Sequence, residues 1–356
     1  MHPFADFYRG KRVLVSGHTG FAGGWLAAWL KLLGAQVAGY GAPPAARPNF
    51  FDATFLDRGM TSLFGDLRNR EALANLFAEF QPEIVIHYAA QIPAQRAQSD
   101  PVEAFASNSM GTVHILEEAR QIDSVRAVVV ANSDQCYANH DWFWTHREDD
   151  PLGGNDLYSA SAACAELAAS AYIAEFFHSS RTAVGTSRSG SVIGGGDWAD
   201  GELVPEIVRG ITSEKQIVIE QGSSVKMWQH VLEPAHANLL LAQKLYQQGQ
   251  ELSGPWNFAP RDEDAIPVRQ LAESFVKHWD AGKLVFTAEP DNSPAQPVFR
   301  LNTQKAQIHL AWKPAIPVEE AIAWTVEWYK AFYADPASSW RISEDQIQRF
   351  MKSSGG

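Results

Sequence analysis

The sequence predicts an α/β protein: a doubly wound parallel sheet with a smaller C-terminal α/β lobe that would hold a substrate. Three observations carry this. Short apolar runs alternate with helix-length segments as far as Arg188. A glycine-rich turn joins the first run to the first helix. The alternation ends near Gly190, where shorter elements begin. Strands alternating with helices read as βαβ units, whose crossovers make the sheet parallel.

Each element has its own signal. Arg12–Ser16 is an apolar run that stops at Gly17, as a strand buried on both faces does. Gly23–Leu33 has helical periodicity, with Gly34 placed as a C-cap. Gln36–Tyr40 reads as the second strand and Gly41–Pro48 as a Pro/Ala loop. Asn69–Phe80 is predicted helical and Glu83–His87 a strand. Pro101–Ile122 reads as a long helix, Val125–Ala131 as a β-branched strand, Tyr158–Phe177 as a second long helix and Thr182–Arg188 as a strand. Beyond the Gly194-Gly195-Gly196-Asp197-Trp198 loop, Val231–Tyr246 reads as a helix and Trp256–Ala259 as a strand that return to the sheet. The lobe is expected to end in the amphipathic helix Val318–Tyr333, with a flexible tail at 353–356. The resulting division is 1–188, with 226–259 returning to it, for a dinucleotide-binding domain. Residues 189–225 and 260–356 form the substrate lobe.

Composition sets limits. Of 356 residues, 46% are hydrophobic and 20% charged, which is a globular balance. The net charge of −12 argues against nucleic acid or an anionic membrane as partner. No apolar run approaches the roughly 18 residues of a membrane span. The first twelve residues lack an apolar signal core, so the chain is expected to be complete and cytoplasmic. Cys136 and Cys164 have no metal-ligand spacing and read as free thiols. His140 and His146 flank an Asp-Trp-Phe-Trp-Thr run with poor metal geometry, so no metal is expected; the aromatics either line a cleft or pack a loop.

The strongest local signal is Gly17-His18-Thr19-Gly20-Phe21-Ala22-Gly23. Between a strand and a helix, such glycines make the tight turn and let a pyrophosphate approach the helix N-terminus. The acidic residue that commonly grips a ribose hydroxyl is absent from Val37-Ala38-Gly39-Tyr40, which leaves NAD and NADP both open. Arg47 is placed either to meet a 2′-phosphate or simply to be solvated. Asp66 is placed either to accept from an adenine amino group or to enter a helix.

With these residues in hand, the chain resembles an extended short-chain dehydrogenase/reductase. More narrowly it is similar to the CDP-glucose 4,6-dehydratase family over nearly its whole length. The segments that carry this are Gly17–Gly24, Phe80–His87, Ala89-Ala90-Gln91, Met110–His114, Pro151–Ser161, Val192–Trp198, Trp228–Pro234 and Trp256-Asn257-Phe258. The resemblance implies a tightly held NAD and a homodimer through two long helices. It implies cofactor contacts from Gly17, Thr19, Gly20, Phe21, Gly23, Asp66, Leu67, Ala89, Ala90, Gln91 and Asn108. It places Tyr158 as the base for oxidation at C4, Ser133 as its hydroxyl partner and Asp134 as the acid for loss of water across C5 and C6. A small-molecule substrate, possibly a CDP-sugar, would meet Gln135, Ser191, Trp198, Lys226, Gln229 and His230.

The chain then departs from the family. Ser-Asp-Lys reads Ser133-Asp134-Gln135, and the helix lysine of Tyr-x-x-x-Lys reads Ala162. A glutamine cannot take the C5 proton. A tyrosine without its lysine keeps a pKa of ~10 and is only ~0.1% ionised at pH 7. Gln95 and Gln98 stand for Arg and Tyr, Ser191 for Asn, Lys226 for Arg, and Glu202 for an expected Arg, which would turn a diphosphate grip into repulsion. Three readings follow: altered chemistry or ligand on the same scaffold, an ordinary dehydratase, or a partner subunit without turnover. His18 and His87 read as structural, His230 as an even choice between core and pocket. Asp197 and Trp198 are expected to shape the pocket floor, with a loop-capping role open for Asp197.

Overall fold

The computed structural model describes residues 4, 6–89, 94–138, 143–287 and 298–354. The chain runs β1 (Arg12–Ser16), α1 (Phe21–Leu32), β2 (Gln36–Gly41), α2 (Phe50–Ala53), β3 (Thr61–Phe64), α3 (Arg70–Phe80), β4 (Ile84–His87), α4 (Ala94–Ser99), α5 (Pro101–Phe105), α6 (Gly111–Gln121), β5 (Ala127–Ser133), α7 (Leu157–Tyr172) and β6 (Ala183–Ser189). The second half adds β7 (Val192–Ile193), α8 (Leu203–Thr212), β8 (Gln216–Ile219), β9 (Val225–Met227), β10 (Gln229–His230), α9 (Leu232–Gln248), β11 (Gly254–Phe258), β12 (Ala265–Pro267), α10 (Val268–Trp279), β13 (Lys283–Phe286), α11 (Gln304–Leu310), α12 (Val318–Ala334) and α13 (Ser339–Ser354).

The central sheet has seven parallel strands in the order β11-β6-β5-β4-β1-β2-β3. The order reverses between β1 and β4, and in such sheets ligands bind outside the strands' carboxyl ends at that reversal. Alternation along the strands builds two cores. Val13, Val15, Ile84, Ile86 and Val129 face α1 and α9, with Trp25, Trp29, Leu239 and Leu241 beneath them. Leu14, Val85, Val128 and Val130 face the other layer, against Leu73, Phe77, Ile115, Leu116 and Phe177. All of these are buried, and at ~25 cal/mol per Å² of apolar surface the two layers dominate stability.

The expected elements of the first half are present, with ends shifted by one or two residues. β3 was not expected. It is an exposed edge strand whose residues show no buried alternation. The two long helices each contain a π turn, at Ala106–Met110 and Ile173–Phe177. The first turn swings Asn108 and Ser109 onto α7: Asn108 Nδ2 donates to Ser161 Oγ at 2.9 Å and Ser109 Oγ to the Ser161 carbonyl at 3.0 Å. In the lobe, β9 and β10 do not rejoin the main sheet but pair with β12 and β7, whereas β11 adds to the sheet beside β6. The chain does not end at α12. α13 follows, and its Phe350 packs edge-on against Trp29 of α1.

Candidate active site

The carboxyl ends of β1, β4 and β5 converge beside the N-terminus of α1. Gly17 holds φ +78°, and a Cβ there would lie 2.8 Å from the Ala89 nitrogen. A Cβ on Gly23 would lie 2.2 Å from the Gly17 carbonyl oxygen. The loop is therefore closed so tightly that only glycine fits, which leaves the backbone N–H groups of the helix start bare for an anion. Thr19 Oγ1 donates to the Ala42 carbonyl at 2.7 Å and ties the loop to the end of β2. Phe21 opens α1 and reaches Gly194 of the lobe.

His18 is structural. Its ring covers Gly39, where a Cβ would clash at 2.3 Å, and its Nε2 meets Ser62 Oγ at 2.7 Å. Burial pushes its pKa down to about 4, so it is neutral. His87 is equally buried, bridges Ser16 Oγ at 2.5 Å and Thr112 Oγ1 at 3.3 Å, and is pushed down to about 4 by burial. Asp66, a candidate adenine contact, already receives the Arg68 backbone N–H at 2.8 Å and its guanidinium at 2.9 Å. Leu67 is buried against Gly111. Asn108 is buried, and its Oδ1 has no hydrogen-bond partner, an acceptor left over for a ligand. Ala90, Gln91 and His140 lie outside the described residues.

The second half of the site hangs from the end of β5. Asn132 Nδ2 donates to the Ala162 carbonyl and to Glu166 Oε1, both at 3.0 Å, which fixes β5 against α7. Ser133 Oγ accepts from the Gln135 N–H at 3.1 Å and donates to Asp134 Oδ1 at 3.2 Å. Ser133 also bears on the Tyr158 phenol and favours its ionised form. Asp134 presses against Gly190, where a Cβ would sit 2.2 Å from its Oδ2. Burial raises the Asp134 carboxyl to about 6, against the opposing pull of Ser133 and of the Lys226 ammonium. Tyr158 is pushed up to about 12 by burial; Ser133 eases it, while Asp134, Glu202 and Cys136 add to it. Gln135 projects outward and accepts from Ser159 Oγ at 3.5 Å.

No amine stands where the helix lysine would be. Ala162 is buried in an apolar group with Cys136, Tyr137, Ala259 and Leu301. Beneath it runs a buried polar network that sequence reasoning missed. Glu166 pairs with Arg188 Nη2 at 2.7 Å and accepts from Thr186 Oγ1 at 2.8 Å, and Arg188 Nη1 donates to Tyr137 Oη at 2.6 Å. An arginine inside a strand otherwise made of uncharged residues was the signal for it.

The lobe closes the cleft. Gly194, Asp197, Glu202, Val204, Pro205 and Trp228 line one small pocket. Burial raises Asp197 to about 6, with Glu202 adding to the shift. Lys226 is exposed, with its ammonium 5.6 Å from the Trp228 ring centre. The Ser191 carbonyl accepts from the Gln229 N–H at 3.0 Å, and Gln229 Nε2 reaches the Gly190 carbonyl at 3.5 Å. Two expected substrate contacts point elsewhere. Trp198 is buried in an aromatic cluster, edge-on to Trp328 and Tyr329 and tilted against Phe332, because the α12 helix offers it a ring-lined slot. His230 is fully buried between Trp25 and Trp324 and is pushed down to about 3 by burial, so it belongs to the core.

A parallel sheet with a glycine cradle at its reversal point, and Ser133 and Tyr158 beside it, is the fold of the extended short-chain dehydrogenase/reductases. The sequence pattern of the NAD dependent epimerase/dehydratase family matches residues 13–253, and the chain belongs to that family. It is 42% identical, over 335 residues and 92% of each chain, to a CDP-glucose 4,6-dehydratase of Salmonella typhimurium. It is 23% identical to UDP-glucuronic acid decarboxylase 1 of Danio rerio, over 96% of this chain and 78% of that one. Among solved structures, an epimerase from Methanothermobacter thermautotrophicus superposes with a TM-score of 0.80 at 19% identity, covering 95% of this chain and 97% of that one. A dTDP-glucose 4,6-dehydratase of Bacillus anthracis, in complex with NAD, gives 0.74 at 18% identity, covering 90% and 97%. At those identities the structures establish the fold. The cofactor of this family is NAD, and the glycine cradle and the open Asn108 acceptor fit it.

Proposed function

We propose that this protein oxidises and re-reduces the hexose of a nucleotide sugar, most directly a CDP-hexose, without efficient loss of water. The observation that carries this reading is the composition of the β5 end. Ser133, Asp134 and Tyr158 remain together, while Gln135 and Ala162 stand where two amines would be. The 42% relative named for CDP-glucose supports the nucleotide, and the retained hydroxyl pair supports chemistry at a sugar hydroxyl.

NAD supplies the hydride acceptor. The residues of the chain do the rest. Tyr158 receives the proton of the hydroxyl being oxidised, and Ser133 aligns that oxygen. Asp134, raised to about 6, holds or gives a proton near neutrality. Lys226 is the cation that opposes the rise at Asp134, and Arg209 does the same at Asp197. Gln135 has no basic atom, so removal of the C5 proton has no side chain assigned to it.

The assembly belongs to the same reading. Exposed Val102 and Met110 on the 101–121 helix, with Leu157, Leu167 and Phe176 on the 157–177 helix, support a homodimer through these faces. None of the described helices is long and apolar enough to cross a membrane.

The test is to incubate NAD-loaded protein with CDP-glucose in deuterated water. Reduced cofactor should form, with little 4-keto-6-deoxy product and little deuterium at C5. Rapid formation of that product would establish an ordinary dehydratase. Silence with every nucleotide hexose would point to a partner subunit.

A further inference from the structure

The small lobe pocket has a wall of glycine and aliphatic side chains from β7 and the start of α8, with three polar exceptions: Asp197, Glu202 and Trp228. It encloses about 10 Å³, the room of one water-sized group. Trp228 is only 6% exposed, and its Nε1–H has no hydrogen-bond acceptor. Buried polar groups are almost always paired, so this N–H calls for an oxygen from a ligand or a water. Asp197 has one oxygen committed, Oδ1 receiving the Ala199 N–H at 2.9 Å. Glu202 is exposed, and although it precedes α8 its side chain makes no capping hydrogen bond. Among the described residues, no basic side chain lines the pocket. Arg209 is spent on the Trp198 and Ala199 carbonyls and on Glu206, and the Lys226 ammonium stays outside the wall, 5.6 Å from the Trp228 ring centre.

We propose that this pocket is a hydroxyl subsite, in which one neutral hydroxyl of the bound nucleotide sugar accepts from Trp228 Nε1–H and donates to the carboxylate of Asp197 or Glu202. The ligand is the nucleotide sugar of the functional reading above, on which this step rests. Pairing and size both select a hydroxyl. An ammonium only donates and would leave the indole unmet. A phosphate or a carboxylate only accepts, and it would face two groups of its own charge. A hydroxyl does both with a single heavy atom, whereas a carboxamide or the edge of a base does both but needs more room.

The position suits the task. The wall includes Gly194, where a Cβ would lie 3.0 Å from Cζ of Phe21, the residue that opens α1 beside the glycine cradle. The pocket therefore borders the cofactor side of the cleft. Trp228 is held in place by the strand that follows it. The Gln229 N–H donates to the Ser191 carbonyl at 3.0 Å, and β10 pairs with β7, which supplies another part of the same wall. Glu202 also adds to the upward shift of Asp197, as two carboxylates near one small cavity do.

Indole ¹⁵N–¹H NMR of the NAD-loaded protein reads the subsite directly. Trp228→Phe assigns the signal, and Trp228→Tyr replaces it if the first variant does not fold. CDP-glucose should move the Trp228 indole proton downfield, as a new hydrogen bond does. By calorimetry, Trp228→Phe should bind CDP-glucose about threefold to tenfold more weakly, the effect of one hydrogen bond. Free CDP moving the signal equally assigns a ribose hydroxyl, and movement with CDP-glucose alone assigns a hexose hydroxyl. Ethylene glycol at high concentration should move the signal, while formate and ammonium should not. If CDP-glucose binds and the signal stays, or if formate or ammonium moves it in place of the glycol, the subsite is overturned and the functional reading stands. A signal that neither CDP-glucose nor ethylene glycol moves also overturns the subsite and leaves a pocket for water only. If ethylene glycol moves the signal while no nucleotide hexose binds, the hydroxyl subsite stands and the functional reading falls.

Discussion

The two walls of the cleft are built by different rules. The cofactor wall, Gly17 to Gly23 against Ala89, is backbone packed on backbone, and its fit is decided at distances where no side-chain atom can be added. The other wall, Ser133 to Gln135 beside Tyr158, is shaped by side chains, with the Ser133 hydroxyl held by single hydrogen bonds to Asp134 Oδ1 and the Gln135 N–H. The first tolerates almost no change and keeps the family pattern. The second carries Gln135 and Ala162, and there Ala162 closes an apolar group while a separate buried Glu166–Arg188 pair supports β5, β6 and α7. On the proposed function, binding a dinucleotide and moving protons are separable properties of one site.

The sharpest way to break this comparison is on the cofactor wall. Gly23→Ala puts a Cβ 2.2 Å from a backbone oxygen that has nowhere to go. We expect NAD affinity to fall by about a thousandfold, about 4 kcal/mol at 1.4 kcal/mol per decade. Titration of cofactor fluorescence measures it, with circular dichroism as the control for folding. Unchanged affinity would mean that the phosphates do not lie on this helix end.

On the other wall, restoring what was lost should raise activity. Ala162→Lys brings a cation next to Tyr158 and should speed sugar oxidation by roughly tenfold to a hundredfold, given the two to four decades typical of general-base catalysis. The gain is tempered by the space available, since overpacking among Cys136, Tyr137, Ala259 and Leu301 costs about 1–3 kcal/mol. Adding Gln135→Lys should let 4-keto-6-deoxy product appear. Mass spectrometry of the products reads both. If Ala162→Lys folds and gives no gain, the phenol is not the limiting base.

What could be read from the sequence follows the same division. The glycine spacing, the parallel strands and the Ser133-Asp134-Gln135 run are visible in the chain because each depends on neighbours a few residues apart. The placements of Trp198 and His230 are not, since a slot made by Trp328 and Phe332, or by Trp25 and Trp324, is assembled from distant segments. The Arg188–Glu166 pair was hidden for the same reason. β3 was missed because an exposed edge strand has no face to bury, and α13 because its apolar stripe is thin, with Ile347 and Phe350 carrying the burial.

The gentlest test concerns stability alone. The Asp134 carboxyl is raised to about 6 in the folded protein, above the unfolded value near ~4, so the folded state binds its proton more tightly. Stability from this group is greatest at low pH and is lost as pH rises from ~4 to about 6, after which it is flat. At ~1.4 kcal/mol per pKa unit, and with some solvent contact, the loss is on the order of 2 kcal/mol. Asp134→Asn has no charge to bury and should gain on the unaltered protein across that window. By pH 8 it should be the more stable of the two in urea denaturation. This is the expected sign when a group is kept for chemistry at the expense of the fold. If Asp134→Asn is instead the less stable protein at pH 8, Lys226 and Ser133 stabilise the carboxylate by more than burial costs it. The proton-handling wall would then be as rigidly built as the cofactor wall, and the contrast between them would fail.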